Sequence, residues 1–345
     1  MASREDRIDI KDLLKDDLAA KLRSLSVKGF RAQQILEWVY RRQATSFDAM
    51  TNLAPGEREA LKKELCVSRI GAVEEFGSKD GTRKLLFGLG DGERIESVYI
   101  PSPATNTVCV SSQVGCRFAC AFCASGKGGL VRNLSPAEIV DQVMQVRASL
   151  PVTNVVVMGM GEPFDNYDNV LKAIRIMNAP YGLGIGQRKI TVSTCGLIPG
   201  IKRFQGEGLQ VELSVSLHGA RDDLRSRLMP VNKKYPLGEL IAACRDYCRK
   251  TNRQVTFEYV LMEGVNDSKK DAREVARLVR GMIAKVNLIA YNAVECVSYA
   301  PPAPIRVREF RDALRREGIP VTLRLSRGGD IAAACGQLRL QHESK

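Results

Sequence analysis

Histidine and aromatic side chains are scarce in this chain: two histidines (His218 and His342), one tryptophan and 6% Phe, Trp and Tyr among 345 residues. Structural zinc takes four cysteine or histidine ligands, and no second cysteine pair or histidine pair stands where it would complete a zinc ribbon. Long apolar runs are missing too: no stretch reaches the roughly 18 apolar residues that a membrane helix needs. The N-terminus, MASREDRIDIKDLLKDD, is charged where a secretory signal would be apolar. A cytoplasmic location without membrane attachment is expected. In that reducing compartment, clustered cysteines bind metal or do chemistry more often than they form structural disulfides.

What is present is a basic chain of ordinary apolar content. Lys and Arg number 52 against 39 Asp and Glu, a net charge of +13, and 44% of residues are apolar. The length suits one large domain with a smaller one. The charge suits a polyanion such as RNA, and equally suits plain solubility. The basic residues are densest at Lys127 to Arg132, Arg221 to Lys234 and Arg306 to Arg316.

Residues 1–70 read as helices: Leu13, Leu14, Leu18, Leu22 and Leu25 recur at helical spacing, followed by Ile35, Leu36, Val39 and Tyr40. Residues 71–104 read as a strand-rich connector, with KLLFGL and RIESVYI flanking the hairpin signal Gly90-Asp91-Gly92. From 105 to 340 strands alternate with helices. The strand candidates are TVCVSS, NVVVMGM, KITVST, QVELSVSL, QVTFEYVLM and KVNLIAYN, with PVTLRL last. Helices are predicted at 136–149, 167–178, 237–250, 268–282 and 306–317. The first has Ser135 as cap, Pro136 at the first helical position and Glu138 closing a capping box. Parallel strands need crossovers, so an α/β fold with an open, partial (β/α)6 barrel is expected, with its site at the carboxyl ends of the strands.

Ten cysteines are present. Cys116, Cys120 and Cys123 read C-x-x-x-C-x-x-C in the loop after the first barrel strand. Iron–sulfur clusters normally take four cysteines. Three leave one iron of a cubane open to a ligand, so a [4Fe–4S] cluster explains the spacing better than zinc. Cys244 and Cys248, at i and i+4, fit a helical core. Cys66, Cys195 and Cys296 have no partner at metal spacing. Taken alone, Cys109 reads as a strand-core residue and Cys335 as a small buried residue beside Ala332, Ala333 and Ala334. His218 alone reads as a satisfied core histidine.

The motif after the first strand of such a barrel resembles the radical S-adenosylmethionine (radical-SAM) enzymes. GMGEPFDNYDNVLKAI (159–174), STCG (193–196), SVSLHG (214–219), YVLMEGVNDS (259–268) and DIAAACGQL (330–338) together resemble the RlmN/Cfr family, over about residues 10 to 340 and closest to its RlmN branch. The family implies a [4Fe–4S] cluster on Cys116, Cys120 and Cys123, with SAM on its open iron. It implies that Gly161 and Glu162 take the SAM amino group, and that Ser193, Ser216, Leu217, His218 and Asn292 contact its ribose or carboxylate. Cys335 would carry a methyl group taken from one SAM. A second SAM would yield the deoxyadenosyl radical that activates this methyl, which then adds to adenine. Cys109 would release the product by forming a disulfide with Cys335. Glu96 is the candidate acid/base, with an outward strand glutamate as its plain alternative. Carbon 2 of adenine has no nucleophilic lone pair, which is why a radical route is needed.

The resemblance implies methylation of adenine carbon 2 in 23S ribosomal RNA, with transfer RNA open as a second substrate. It also implies an N-terminal domain that contacts RNA, an electron donor such as flavodoxin or ferredoxin, and a monomer. Two rivals stand beside it: methylation at carbon 8, as in the Cfr branch, and a non-catalytic RNA-binding iron–sulfur protein. The loops ASGKGGLVRN and YNAVECVSYAPP, where family members vary, are expected to touch RNA.

Overall fold

The computed structural model describes residues 7–294, 297–324 and 326–338; Cys296 and His342 lie outside them. A short strand, β1 (Ile8–Asp9), pairs in parallel with β2 (Leu65–Cys66) across three helices, α1 (Lys15–Ser24), α2 (Arg31–Tyr40) and α3 (Pro55–Glu64). Leu18, Leu22, Ile35, Leu36 and Val39 are buried, as their spacing predicts. The β1–β2 pair is too short to show a period.

The strands that follow are β3 (Gly71–Gly77), β4 (Arg83–Gly88), β5 (Arg94–Pro101), β6 (Asn106–Val110), β7 (Gln113–Gly115), β8 (Leu130–Asn133), β9 (Asn154–Val157), β10 (Ile190–Thr194), β11 (Glu212–Ser216), β12 (Val255–Leu261), β13 (Ala284–Ala290) and β14 (Val321–Arg324). The later helices are α4 (Pro136–Arg147), α5 (Tyr167–Asn178), α6 (Ile198–Phe204), α7 (Asp222–Leu228), α8 (Leu237–Thr251), α9 (Lys269–Val279) and α10 (Pro304–Arg316).

Ten strands form one sheet in the order β14-β13-β12-β11-β10-β9-β6-β5-β4-β3. From β6 to β14 neighbours run parallel, each of the first six followed by helix, which makes the partial α/β barrel. The connector strands do not stand apart. β5 pairs antiparallel with β6, Val98 opposite Cys109, and β4 and β3 continue the same sheet outward. Antiparallel neighbours need only a short turn, so no helix marks their membership. β12 is buried along its whole length, and β3 is almost wholly exposed. Charges such as Glu74 and Glu75 on that free edge discourage further strand pairing.

Helix α4 has the predicted capping box: Glu138 N donates to Ser135 Oγ at 3.3 Å, and Ser135 N donates to Glu138 Oε2 at 2.9 Å. It also receives the N-terminal helices. Lys11 Nζ and Asp141 Oδ1 form a buried ion pair at 2.6 Å, and Ala137 N donates to Asp12 Oδ1 at 2.8 Å. Cys244 and Cys248 are buried in α8, in the core as expected. Among the described residues no helix is long and apolar enough to cross a membrane.

Candidate active site

The CRFACAFC loop lies between β7 and β8, which pair as a small hairpin. Gly115 sits at φ +74, and a Cβ there would lie 2.1 Å from Gly129 O, so only glycine closes this hairpin. Cys116 N donates to Gly129 O at 2.7 Å, and Ala121 N donates to Leu228 O at 2.9 Å, at the end of α7. Beyond the last cysteine, Ala124 N donates to Gly336 O at 2.8 Å and Ser125 Oγ donates to Leu338 O at 2.7 Å. The cysteine loop is therefore fastened to the segment that carries Cys335.

A cleft of about 1430 Å³, counting its space open to solvent, lies at the carboxyl ends of the parallel strands. Cys109, Cys116, Cys120, Cys123, Gly161, Glu162, Ser193, Ser216, His218, Asn292 and Cys335 all line it. Two predicted residues do not. Leu217 buries its side chain completely, its N donates to Glu258 O, and its O accepts from Arg225 Nε, so it is scaffold rather than lining. Glu96 shares a face of β5 with Val98 and Ile100, which do line the cleft, but lies beyond them in a buried ion pair with Lys84, 3.2 Å from its Nζ.

Glu162 is buried, its Oε2 accepting from Cys195 N at 2.7 Å and its Oε1 from Phe164 N at 3.0 Å. Burial raises its pKa against these donors. Gly161 has φ +100, and a Cβ there would meet Gln113 Cβ at 2.6 Å. Close approach of β7 thus already demands glycine. His218 Nδ1 accepts from Val260 N at 3.1 Å, so its proton sits on Nε2, and Phe122 meets the ring edge-on at 4.7 Å. Burial, then Arg225, pushes this imidazole down to about 3, so it is neutral at physiological pH. His218 is both a satisfied core residue and part of the cleft wall.

Cys109 packs with Val98, Met160, Ala333 and Leu338, so the C-terminal segment closes over it. Burial pushes its thiol up to about 12, with Arg324 opposing and Cys335 adding to the rise. Cys335 lines the cleft with part of its surface open to solvent, and burial against the cleft wall raises its thiol, with Arg324 again opposing. Arg324 thus acts on both thiols. Sequence reasoning passed over Arg324, Arg225 and Glu258. Glu258 lines the cleft from β12, held by Ser214 Oγ at 3.2 Å and Asn287 Nδ2 at 2.8 Å. A carboxylate inside the otherwise apolar run VTFEYVL was the signal for it.

Comparison with known proteins accords with this geometry. Residues 110–279 match the radical SAM superfamily, and residues 8–67 match the ribosomal RNA large subunit methyltransferase N-terminal domain. A probable dual-specificity RNA methyltransferase RlmN from Pelotomaculum thermopropionicum is 50% identical, over 97% of this chain and 92% of its own. One from Desulforamulus reducens is 44% identical over 99% of each chain. This chain belongs to the RlmN family of radical-SAM RNA methyltransferases. The crystal structure of a radical SAM methyltransferase from Sphaerobacter thermophilus, 48% identical, superposes with a TM-score of 0.91 over 96% of this chain and 99% of that one.

A radical-SAM enzyme of the RlmN family has a [4Fe–4S] cluster and SAM as cofactors, and the residues present fit both. Among the described residues, no three Cys, His, Asp or Glu side chains converge on the position of one metal ion. Three thiols that face one cleft without converging suit a cubane, where each thiolate takes its own iron. As thiols they are held protonated, Cys116 up to about 12 by burial, so iron must displace their protons. Beside them Glu162 offers a buried carboxylate to an ammonium group, and Ser193, Ser216 and Asn292 offer short polar side chains.

Proposed function

We propose that this protein methylates carbon 2 of an adenine in 23S ribosomal RNA, and an adenine in transfer RNA, through a methyl group carried on Cys335, with two SAM consumed per product. One observation carries the reading: Cys335 and Cys109, remote in sequence, face the same cleft as Cys116, Cys120 and Cys123. A binding module has no use for two extra thiols there. The dual-specificity name of the relatives supports both RNA classes.

When bound, the [4Fe–4S] cluster on Cys116, Cys120 and Cys123, with SAM, supplies the one-electron chemistry that activates a methyl C–H bond, given an electron carrier of the flavodoxin or ferredoxin kind. Glu162, Gly161, Ser193, Ser216, His218 and Asn292 hold SAM; Leu217 acts only through the backbone it braces. Cys335 loses its proton and its sulfur takes the methyl group. That carbon joins carbon 2 of the base, linking RNA to Cys335. Cys109 sulfur then attacks Cys335 sulfur. The S–S bond forms, the S–C bond breaks, its electron pair goes to carbon, and a proton completes the methyl group. Before that release, restoring the aromatic ring requires the adduct to give up one electron, to the cluster and its electron carrier, and the proton on carbon 2, for which Glu96, on the same face of β5 as the lining residues Val98 and Ile100, is the proposed base.

The test is Cys335→Ala in reconstituted enzyme. Turnover is expected to vanish while cluster absorbance and SAM binding persist. Retained turnover would reject the methyl-cysteine route.

A further inference from the structure

The segment bearing Cys335 is gripped at two places. One grip is the cysteine loop, through Gly336 O and Leu338 O. The other is the turn between β3 and β4, well before Cys116 in the chain. Ser78 Oγ donates to Asp330 Oδ1 at 2.6 Å, and Lys79 N donates to Asp330 Oδ2 at 3.4 Å. In return Gly328 N donates to Asp80 Oδ2 at 3.1 Å and Arg327 Nη1 donates to Asp80 O at 3.4 Å. Each side thus supplies one carboxylate to the other side's donors. The turn is itself set, because Asp80 Oδ1 accepts from Thr82 N at 2.9 Å and Ser78 N donates to Thr82 O at 2.8 Å.

The packing is equally close. Gly328 has φ +65, and a Cβ there would lie 2.8 Å from Thr82 Cγ2 and 2.9 Å from Ala333 Cβ. Ala333 N donates back to Gly328 O at 2.9 Å, so the bend at Gly328 carries Ala333 and Ala334 towards the cleft just before Cys335. The same hairpin bears Lys84, the ion-pair partner of Glu96.

We propose that Asp80 and Asp330 are positioning residues: their reciprocal clasp holds the Cys335 segment over the cleft so that the thiol meets the methyl donor in one orientation. This rests on the methyl-carrying role proposed for Cys335. Both carboxylates stay charged at working pH. Burial opposes, but hydrogen bonds from Thr82, Gly328 and Ser78 together outweigh it and hold Asp80 at about 2, and the Ser78 hydroxyl lowers Asp330. A clasp of charged acceptors at one end of a short segment raises the free energy of its local opening, and so lowers the exposure of what the segment covers, Cys109 included.

The experiment uses reconstituted holoenzyme and the variants Asp330→Ala, Asp80→Ala and Asp330→Asn. Iodoacetamide labelling of Cys109, which is buried beneath Ala333 and Leu338 of the segment, resolved by peptide mass spectrometry, reads segment opening. Single-turnover methyl transfer from SAM to Cys335 reads presentation. Both alanine variants are expected to label about tenfold faster, the effect of losing roughly one charge-assisted hydrogen bond from the closed state. They should methylate Cys335 more slowly by a similar factor, with the KM for SAM and the cluster absorbance unchanged. Asp330→Asn keeps an acceptor oxygen for Ser78 and should recover most of the rate. Wild-type labelling and methyl transfer in both alanine variants would overturn the clasp. So would loss of the cluster in step with the rate, which would mean general destabilisation. If wild-type Cys335 is never methylated, the proposed function fails instead, and the labelling comparison still decides the clasp.

Discussion

Replacing Arg225 with methionine removes a buried guanidinium that ties the ends of β10 and β11 together. Its side chain has no exposed surface. Nη2 donates to Cys195 O at 2.8 Å and to Ser216 O at 3.0 Å, Nε to Leu217 O at 3.2 Å, and Nη1 to Asn232 Oδ1 at 2.8 Å. These carbonyls end β10 and β11, the strands that present Ser193 and Ser216. Methionine fills much of the same volume but strands four buried acceptors, at about 1–3 kcal/mol for each one that finds no other partner. Part of this is recovered, because burial already disfavours the guanidinium's charge here and methionine carries none. A net loss of about 4 kcal/mol is expected, a large share of the roughly 5–15 kcal/mol that holds a domain folded. Arg225→Lys keeps the charge and one or two bonds, and should lose about half as much. Urea unfolding of cluster-free protein under anaerobic conditions reads the change as a lower midpoint at unchanged slope. Surviving Arg225→Met enzyme should also need more SAM for half-saturation. A loss below about 1 kcal/mol would refute the view that these bonds organise the strand ends.

Other consequences are open to direct measurement. Cys109→Ala should leave Cys335 covalently joined to RNA, seen as a protein–RNA species on a denaturing gel; free methylated product would remove Cys109 from the resolving step. Gly115→Ala should cut iron loading severalfold while far-ultraviolet circular dichroism stays as in wild type, because the new Cβ meets Gly129 O; full iron content would show that the hairpin relaxes. His218, pushed down from 6.5 to about 3, stays neutral in the folded chain while the unfolded chain takes up a proton below pH 6.5. Its contribution is therefore whole above 6.5 and is lost at about 1.4 kcal/mol per pH unit as pH falls towards 3. His218→Gln should flatten the acid limb of the unfolding curve by about one proton, and an unaltered slope would contradict the buried neutral imidazole.

The parallel strands were legible because each is a short apolar run bounded by turn residues and most are followed by a helical period; α6 and α7, seven residues each, are too short to show one. Ser135 to Glu138 announced α4 by local chemistry alone. The placement of β3 to β5 was not legible, since a hairpin looks the same whether it stands alone or extends a neighbouring sheet. The candidate cluster cysteines Cys116, Cys120 and Cys123 stood out by spacing, but Cys109 and Cys335 lie over 200 residues apart and only the fold brings them to one cleft. Gly161 stands in the cleft wall, but the fold gives glycine a second reason there, the close approach of Gln113. Arg225 left no signal, because in DDLRSRL it is one of two arginines on a short amphipathic helix, and nothing local says which one is buried. Leu217 was included by its neighbours Ser216 and His218, although strand alternation already sets its side chain on the opposite face from theirs.

The central claim is the reaction itself, and nucleoside mass spectrometry tests it most directly. Anaerobically reconstituted protein is incubated with SAM, a reductant and unmodified 23S ribosomal RNA, and the RNA is digested to nucleosides. The account predicts 2-methyladenosine. 8-Methyladenosine would contradict the assignment of carbon 2, and no methylated adenine from enzyme with an intact cluster and cleavable SAM would contradict the proposed substrate.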